Sequence, residues 1–223
     1  MSFAQERLWF LEQLEPGSSL YNVSLALRLT GPLVEKALRN ALDPILARHE
    51  VIRTTYSASE GVPVQVIHPP SPVDWAKLDL STLPEGQRDD EAQVRVIQEA
   101  RRPFDLSSDL MLRARLFRLA LDDHILLLVM HHIATDEWST DLLLHELSVL
   151  YNAEIDGEEP TLPKLAIQYA DYALRQRERL QGSILERDLA YWKRQLEGAS
   201  RLSLPEDRTR PAEPDYHGGS VAT

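Results

Sequence analysis

The fold of this chain is most readily predicted from HILLLVMHHIATDEWS, residues 124–139. The first part of this segment, His124 to His131, is almost entirely apolar, which predicts a strand buried on both faces. The polar residues that follow predict a loop and then a helix that begins near Trp138. Functional groups are often found where a buried strand gives way to a loop, so this junction is the first candidate for a site.

Two adjacent histidines, His131 and His132, lie at the end of this strand. Neighbouring strand residues point to opposite faces, so one ring can face a cleft while the other packs inward. A shared metal ion is disfavoured, because the chain has no cysteine and no third ligand at zinc-type spacing. Two interpretations stay open: a satisfied buried pair, or a neutral histidine that acts as general base for an amine or hydroxyl nucleophile. Asp136 can orient an imidazole, stabilise the helix N-terminus or pair with an arginine.

The rest of the chain mixes helix and strand patterns without regular alternation. Ser2 to Gln5 forms a capping box for a first helix, and residues 23–29 alternate as a strand with one buried face. Residues 33–46 predict a helix that kinks or restarts at Pro44, and residues 112–119 alternate with arginines as an edge or half-exposed strand does. We therefore expect an α/β or α+β fold with a mixed sheet.

Composition narrows the function classes. The 223 residues have a formal net charge of −11, which repels polyanions and argues against nucleic-acid binding. The longest apolar run, residues 125–130, is too short to span a bilayer, and no secretion signal begins the chain. The absence of cysteine fits a reducing compartment, so we expect a cytoplasmic protein with no membrane partner. The sequence also lacks a Gly-x-Ser-x-Gly elbow and a Gly-rich phosphate loop.

Four segments, in order, resemble the motifs of condensation domains of nonribosomal peptide synthetases. Residues 131–136 are similar to the His-His-x-x-x-Asp-Gly signature of that family and its acyltransferase relatives. Residues 2–9, 48–54 and 169–173 resemble the first motif, the second motif and the motif that follows the signature. The resemblance covers essentially the whole chain. Its first segment is most similar to the subtype that joins an L-configured donor to an L-configured acceptor.

This resemblance implies a chloramphenicol-acetyltransferase-like fold, in which two lobes form a V with a tunnel between them. A complete domain is about twice as long as this chain. Residues 1–198 are therefore expected to form the N-terminal lobe, and residues 199–223 a crossover segment toward the C-terminal lobe.

The reaction that the resemblance implies is amide formation between two carrier-bound substrates. The amine of an acceptor aminoacyl group attacks a donor thioester, and both substrates arrive on the phosphopantetheine arms of carrier domains. The expected partners are the upstream and downstream carrier domains, an adjacent adenylation domain and the C-terminal lobe, with no bound cofactor and no metal. The isolated chain is expected to be inactive.

Two alternatives share the same fold. One is an epimerisation domain, and the other is a noncatalytic interaction or gating module. Modules of the second kind commonly lose the second histidine, which this chain retains as His132.

The resemblance also implies roles for individual residues. His132 is the expected central residue, as a base or as a group that positions the amine, and His131 is expected to be structural. Asp136 is expected to organise the loop through an ion pair with Arg48, or alternatively with Arg53. Trp138 is expected to pack rather than to contact a substrate.

One position departs from the family pattern. Glu137 stands where the signature has glycine, so it adds bulk and negative charge beside the expected tunnel. It can narrow the acceptor side or contact the incoming amine, or it can turn outward and favour the helix N-terminus. Ser139 is a further candidate for the tunnel side.

Overall fold

The computed structural model describes residues 1–200 and residue 202. The elements, in chain order, are α1 (Phe3–Leu14), β1 (Asn22–Thr30), α2 (Glu35–Arg48), a 3-10 helix (Glu50–Arg53), β2 (Thr54–Ser59), β3 (Val62–Ile67), β4 (Asp74–Asp79), α3 (Glu85–Ala100), β5 (Leu112–Ala120), β6 (Asp123–His131), α4 (Glu137–Asp156), α5 (Tyr169–Arg179) and α6 (Gly182–Gln195). The capping box predicted for the first helix is confirmed, because Ser2 caps α1 and Gln5 returns the contact.

A four-stranded mixed sheet organises these elements, in the order β1-β6-β5-β4. Strand β6 runs antiparallel to both β1 and β5, whereas β4 and β5 are parallel. Strands β2 and β3 form a separate antiparallel hairpin. The predicted mixed sheet is confirmed.

Each face of the sheet supports its own apolar core, because alternate residues of β5 and β6 point to opposite sides. On one face, Leu126 and Leu128 pack with the apolar stripes of α2 and α4. On the other face, Leu127 and Val129 pack with Leu8 of α1 and Ala92 of α3. Strand β6 is therefore covered on both sides, as its continuous apolar sequence predicts.

Strand β5 corrects the prediction of an edge strand. It lies between β6 and β4, and both Arg113 and Arg115 are buried. The alternating arginines resembled a solvated face, but their guanidinium groups find partners inside the protein. Arg115 pairs with Asp74 and Glu99, each at 3.0 Å.

At Pro44 the predicted restart is wrong, because α2 continues through this residue, and the alternative of a kink stays a prediction. Proline removes the N–H that would bond the carbonyl of Asn40. Both residues lie on the exposed side of the helix, where water can satisfy that carbonyl. The buried stripe of α2 continues on either side of Pro44 with Leu42 and Ile45.

The chain divides into two compact units, Met1–Arg177 and Glu178–Thr223. The first contains the sheet and both cores, and the described part of the second contains α6. The expected crossover segment, residues 199–223, lies almost wholly outside the described residues, so the boundary at residue 198 stays a prediction. In the described chain, no helix is long and apolar enough to cross a membrane.

Candidate active site

The two histidines lie where β6 ends in a tight turn. The backbone N–H of His132 donates to the carbonyl of Tyr21 at 2.8 Å, beyond the last residue of β6. The N–H of Ala134 then donates to the carbonyl of His131 at 2.9 Å, which closes the turn. Three residues later α4 begins at Glu137. The junction predicted from the sequence is therefore anchored to the N-terminal side of β1.

His132 is exposed, and one of its ring nitrogens is already engaged. Nδ1 lies 2.6 Å from the carbonyl oxygen of Thr135. A carbonyl oxygen can only accept, so Nδ1 carries the hydrogen and the neutral ring keeps its lone pair on Nε2. Nε2 has no hydrogen-bond partner within residues 1–200. A basic nitrogen is thus directed outward while the other nitrogen fixes the ring.

His131 points to the opposite face and is 1% exposed. Its Nδ1 accepts a hydrogen bond from the N–H of Ile133 at 3.1 Å, and its ring meets Tyr21 and Phe104 edge to face. Burial lowers the pKa of His131 to about 4, and the neighbouring His132 and Arg113 act in the same direction. His131 is therefore a neutral packing residue, which agrees with the structural role expected for it.

Arg113 belongs to the same buried region, although the sequence analysis assigned it to a half-exposed strand. Its guanidinium carbon lies 3.8 Å from the centre of the Phe104 ring, and its nitrogens donate to the carbonyls of Arg102 and Pro103. Burial lowers the pKa of Arg113 to about 10. The available signal was that β5 is entirely apolar apart from its three arginines, because an arginine in a core is rarely left without partners.

Asp136 is the N-cap of α4. Its Oδ1 accepts from the backbone N–H of Ser139 at 2.8 Å and from the Ser139 hydroxyl at 2.6 Å. These bonds from Ser139 lower the pKa of the Asp136 carboxyl. Its charge also favours the positive end of the helix. Asp136 thus fixes the start of α4 three residues after Ile133.

The expected ion pair between Asp136 and Arg48 is wrong. Arg48 pairs with Glu146 of α4 at 2.9 Å, and His49 lies 2.6 Å from the other carboxylate oxygen. Glu146 is buried where α2 packs on α4, so its charge requires partners at that depth. Asp136 lies at the exposed helix end, where backbone donors satisfy it. Sequence reasoning missed Glu146 because an acidic residue in a helix usually indicates a solvated position.

The alternative partner, Arg53, does not reach Asp136 either. Arg53 donates to the carbonyl of His68 and pairs with Glu50 at 3.4 Å. It joins the 3-10 helix to the residue that follows β3. Arg48 and Arg53 therefore both support the packing of the second motif, at places different from the one expected.

The remaining candidates lie in the first turn of α4. Glu137 is exposed, and Ser139 is half-buried and bonded to Asp136. Trp138 is 83% exposed, so the packing role expected for it is wrong within the described structure.

A small cavity of about 80 Å³ adjoins the turn. Thr135, Ser139 and His49 contribute its polar groups, and the other lining residues are apolar: Val51, Ile52, Met111, Met130, Ala134, Leu142 and Leu143. Among residues 1–200 and 202, no three histidine, aspartate or glutamate side chains lie close enough to hold a metal ion.

The mixed α/β lobe and the histidine turn define a class that comparison with known proteins identifies. The Condensation domain family matches residues 1–223, so this chain belongs to the condensation-domain family. The family and the fold predicted from the sequence are both confirmed.

Known relatives include very long synthetases. The chain is 45% identical to one of the linear gramicidin synthase proteins of Brevibacillus parabrevis, over 98% of this chain and 3% of that protein. Among solved structures, the X-domain in its complex with OxyB from teicoplanin biosynthesis is 32% identical, with a TM-score of 0.81 over 96% of this chain and 47% of the other.

A second solved structure is the first condensation domain of the calcium-dependent antibiotic synthetase in complex with a substrate analogue. It is 26% identical, with a TM-score of 0.78 over 88% of this chain and 47% of the other. The chain thus spans about half the length of the solved structures that it matches.

Proposed function

We propose that this chain supplies the His132 side of an active site that forms an amide bond in nonribosomal peptide synthesis. The supporting observation is the outward Nε2 of His132, whose tautomer is set by the bond from Nδ1 to the Thr135 carbonyl. The relatives support the reaction class, since several linear gramicidin synthase proteins are among them.

The proposed reaction is aminolysis of a thioester. The amine nitrogen of a carrier-bound acceptor attacks the carbonyl carbon of a carrier-bound donor, so a C–N bond forms and the C–S bond breaks. Nε2 accepts the proton that the amine loses, and the departing thiolate on the donor carrier regains a proton. In a variant of this scheme, Nε2 accepts a hydrogen bond from the amine and only positions it. Both versions need the tautomer inferred above.

Phosphopantetheine arms of an upstream and a downstream carrier domain would deliver the two substrates. An adenylation domain would load the acceptor carrier, and the C-terminal lobe would complete the tunnel. No bound cofactor is required, because the thioester is already activated. The chain by itself is then inactive, since the opposite wall of the tunnel belongs to the other lobe.

The test uses a polypeptide with both lobes, a defined donor on the upstream carrier and a defined acceptor on the downstream carrier. His132→Ala should lower the rate of peptide transfer about 10²- to 10⁴-fold, the usual contribution of a general base. A solvent deuterium isotope effect on the transfer step separates the two roles, because a base moves the proton in the transition state and gives an effect that His132→Ala removes, whereas a positioning group gives none. Unchanged transfer in His132→Ala would refute the proposal.

A noncatalytic, partner-binding module is the second candidate. It is supported by the likeness to the X-domain, which has been solved in complex with OxyB. The retained His132 favours the enzyme. The two functions differ in the same experiment: a binding module tolerates His132→Ala without loss of its partner, and it transfers no peptide.

A further inference from the structure

Gln5 of α1 is buried at 1% exposure, which is unusual for a glutamine and requires partners for its amide. Its Oε1 accepts from the backbone N–H of Ser2 at 3.1 Å. Its Nε2 donates to the hydroxyl of Tyr56 at 3.0 Å and to the carbonyl of Ile133 at 3.4 Å. A helix cap at the start of the chain therefore reaches the residue that follows His132.

The contact to Ile133 is significant because Ile133 is buried. Among the side chains of residues 1–200, Gln5 alone donates to this carbonyl. Two residues further along the chain, the carbonyl of Thr135 accepts from Nδ1 of His132. A rotation of the peptide group after Ile133 would move the Thr135 carbonyl, and the His132 ring would lose the partner that sets its tautomer.

The carboxamide of Gln5 is itself held from two further elements. Tyr56 lies in β2, is 1% exposed, and donates its backbone N–H to the carbonyl of Leu106 at 2.7 Å. Burial raises the pKa of the Tyr56 hydroxyl, so it stays protonated. Ser2, which caps α1, contacts the hydroxyl of Tyr169 of α5 at 3.1 Å. The amide thus has a fixed position from which it can hold the turn.

We propose that Gln5 is a positioning residue for His132. It fixes the Ile133 carbonyl so that the bond from Nδ1 to Thr135 stays formed and the lone pair of Nε2 faces outward. This inference rests on the proposed function for its catalytic consequence, but its geometric part can be tested separately.

The geometric test is nitrogen NMR of the His132 ring in the chain with ¹⁵N-labelled histidine. The wild-type ring should give the signals of a neutral ring protonated at Nδ1. The two test variants are Gln5→Ala and Gln5→Glu, and the second keeps the size of the side chain but removes both N–H donors of its amide. In both variants the signals should move toward a mixture of tautomers. Glu12→Ala is the matched control, because it removes another buried polar side chain of α1, whose carboxylate accepts from the N–H of Gly17, and leaves the contact to Ile133. Unchanged ring signals in a folded Gln5→Ala or Gln5→Glu would overturn the inference.

The catalytic test is a double-mutant cycle in the two-lobed polypeptide with loaded carriers. Gln5→Ala should lower kcat about 10- to 100-fold with little change in KM, as expected for a small misplacement of a catalytic group. The loss should vanish in the His132→Ala background, where there is no ring to position. Tyr56→Phe, which removes one anchor of the amide, should give a smaller loss of the same kind.

The cycle also separates the two proposals. Losses that multiply in the double variant would mean that Gln5 acts independently of the His132 ring, and would overturn the inference. A wild type whose transfer does not depend on His132 would defeat the proposed function, and the ring signals would still decide the geometric claim.

Discussion

His131 and His132 are adjacent in the chain, yet the regions around their rings have opposite properties. The region around His131 is dry, aromatic and cationic, with Phe104 and Arg113 close to the ring. The region around His132 is exposed, and within the described chain only the Thr135 carbonyl bonds to its ring. The difference shows how a strand end can separate support from chemistry: one residue anchors the turn, and the next presents a basic nitrogen.

Of the two histidines, the one whose truncation should lower stability more is the buried His131. His131→Ala should lower the free energy of unfolding by about 2 to 4 kcal/mol, because it leaves a cavity and an unpaired Ile133 N–H. His132→Ala, its neighbour, should change it by less than about 0.5 kcal/mol, as expected for an exposed side chain. Urea unfolding of both variants measures this. Equal losses would remove the distinction between the two regions.

Acid should weaken the same region. The folded-state pKa of His131 is lowered to about 4. In mildly acidic solution the unfolded chain therefore binds a proton at this residue, and the native chain does not. The neutral His131 ring is compatible with the native state above the unfolded-state pKa. As pH falls toward the folded-state pKa, the free energy of unfolding decreases, by about 2 kcal/mol between pH 7 and pH 5. Urea unfolding at several pH values should show a shallower decline for His131→Asn, whose amide oxygen can still accept from Ile133. Parallel declines would contradict the buried, neutral ring.

The cap at the exposed region should contribute less. Asp136→Ala should lower the free energy of unfolding by about 1 kcal/mol, the usual value of an N-cap. Glu146→Ala is the comparison, because removing a buried charge from its partners costs about 3 kcal/mol or more. Thermal and urea unfolding of the two variants measure the ratio. If Asp136→Ala lowered the free energy of unfolding more than Glu146→Ala does, the result would support the ion pair that was expected from the sequence.

The smallest effect is expected at Glu137. If its carboxylate attracts the acceptor amine, Glu137→Gly should raise the acceptor KM about two- to five-fold, since an exposed ion pair contributes only about 0.2 to 1 kcal/mol. Glu137→Gln separates charge from size. Kinetics identical to wild type in both variants would assign Glu137 to the helix N-terminus alone.

The sheet and the site junction could be predicted because their signals are local. The apolar run before His131 defines β6, and the alternation over residues 23–29 defines β1. It could also be predicted that the two histidine rings lie on opposite sides of the sheet, since neighbouring strand residues face opposite sides. The strand pattern by itself leaves open which histidine faces outward, and only the resemblance favoured His132. The packing of α1, α3 and Phe104 then shows that His131 is the covered ring.

Charged residues show where prediction failed. Arg113 and Arg115 of β5 and Glu146 of α4 resemble solvent-facing residues in sequence, but they are buried with partners outside their own elements. An ion pair between residues about a hundred positions apart leaves no periodic trace. Arg48 was therefore assigned to Asp136, which the resemblance suggested, instead of to Glu146.

The family, the mixed α/β class and the position of the histidine turn follow from the amino-acid order alone, because motifs and hydrophobic periods are properties of neighbouring residues. The partners of Arg48, the burial of Arg113 and the reach of Gln5 to Ile133 became known only from the packed chain. Those contacts join residues that are far apart in the chain, and they form only where helices and strands pack closely enough for buried polar groups to require each other.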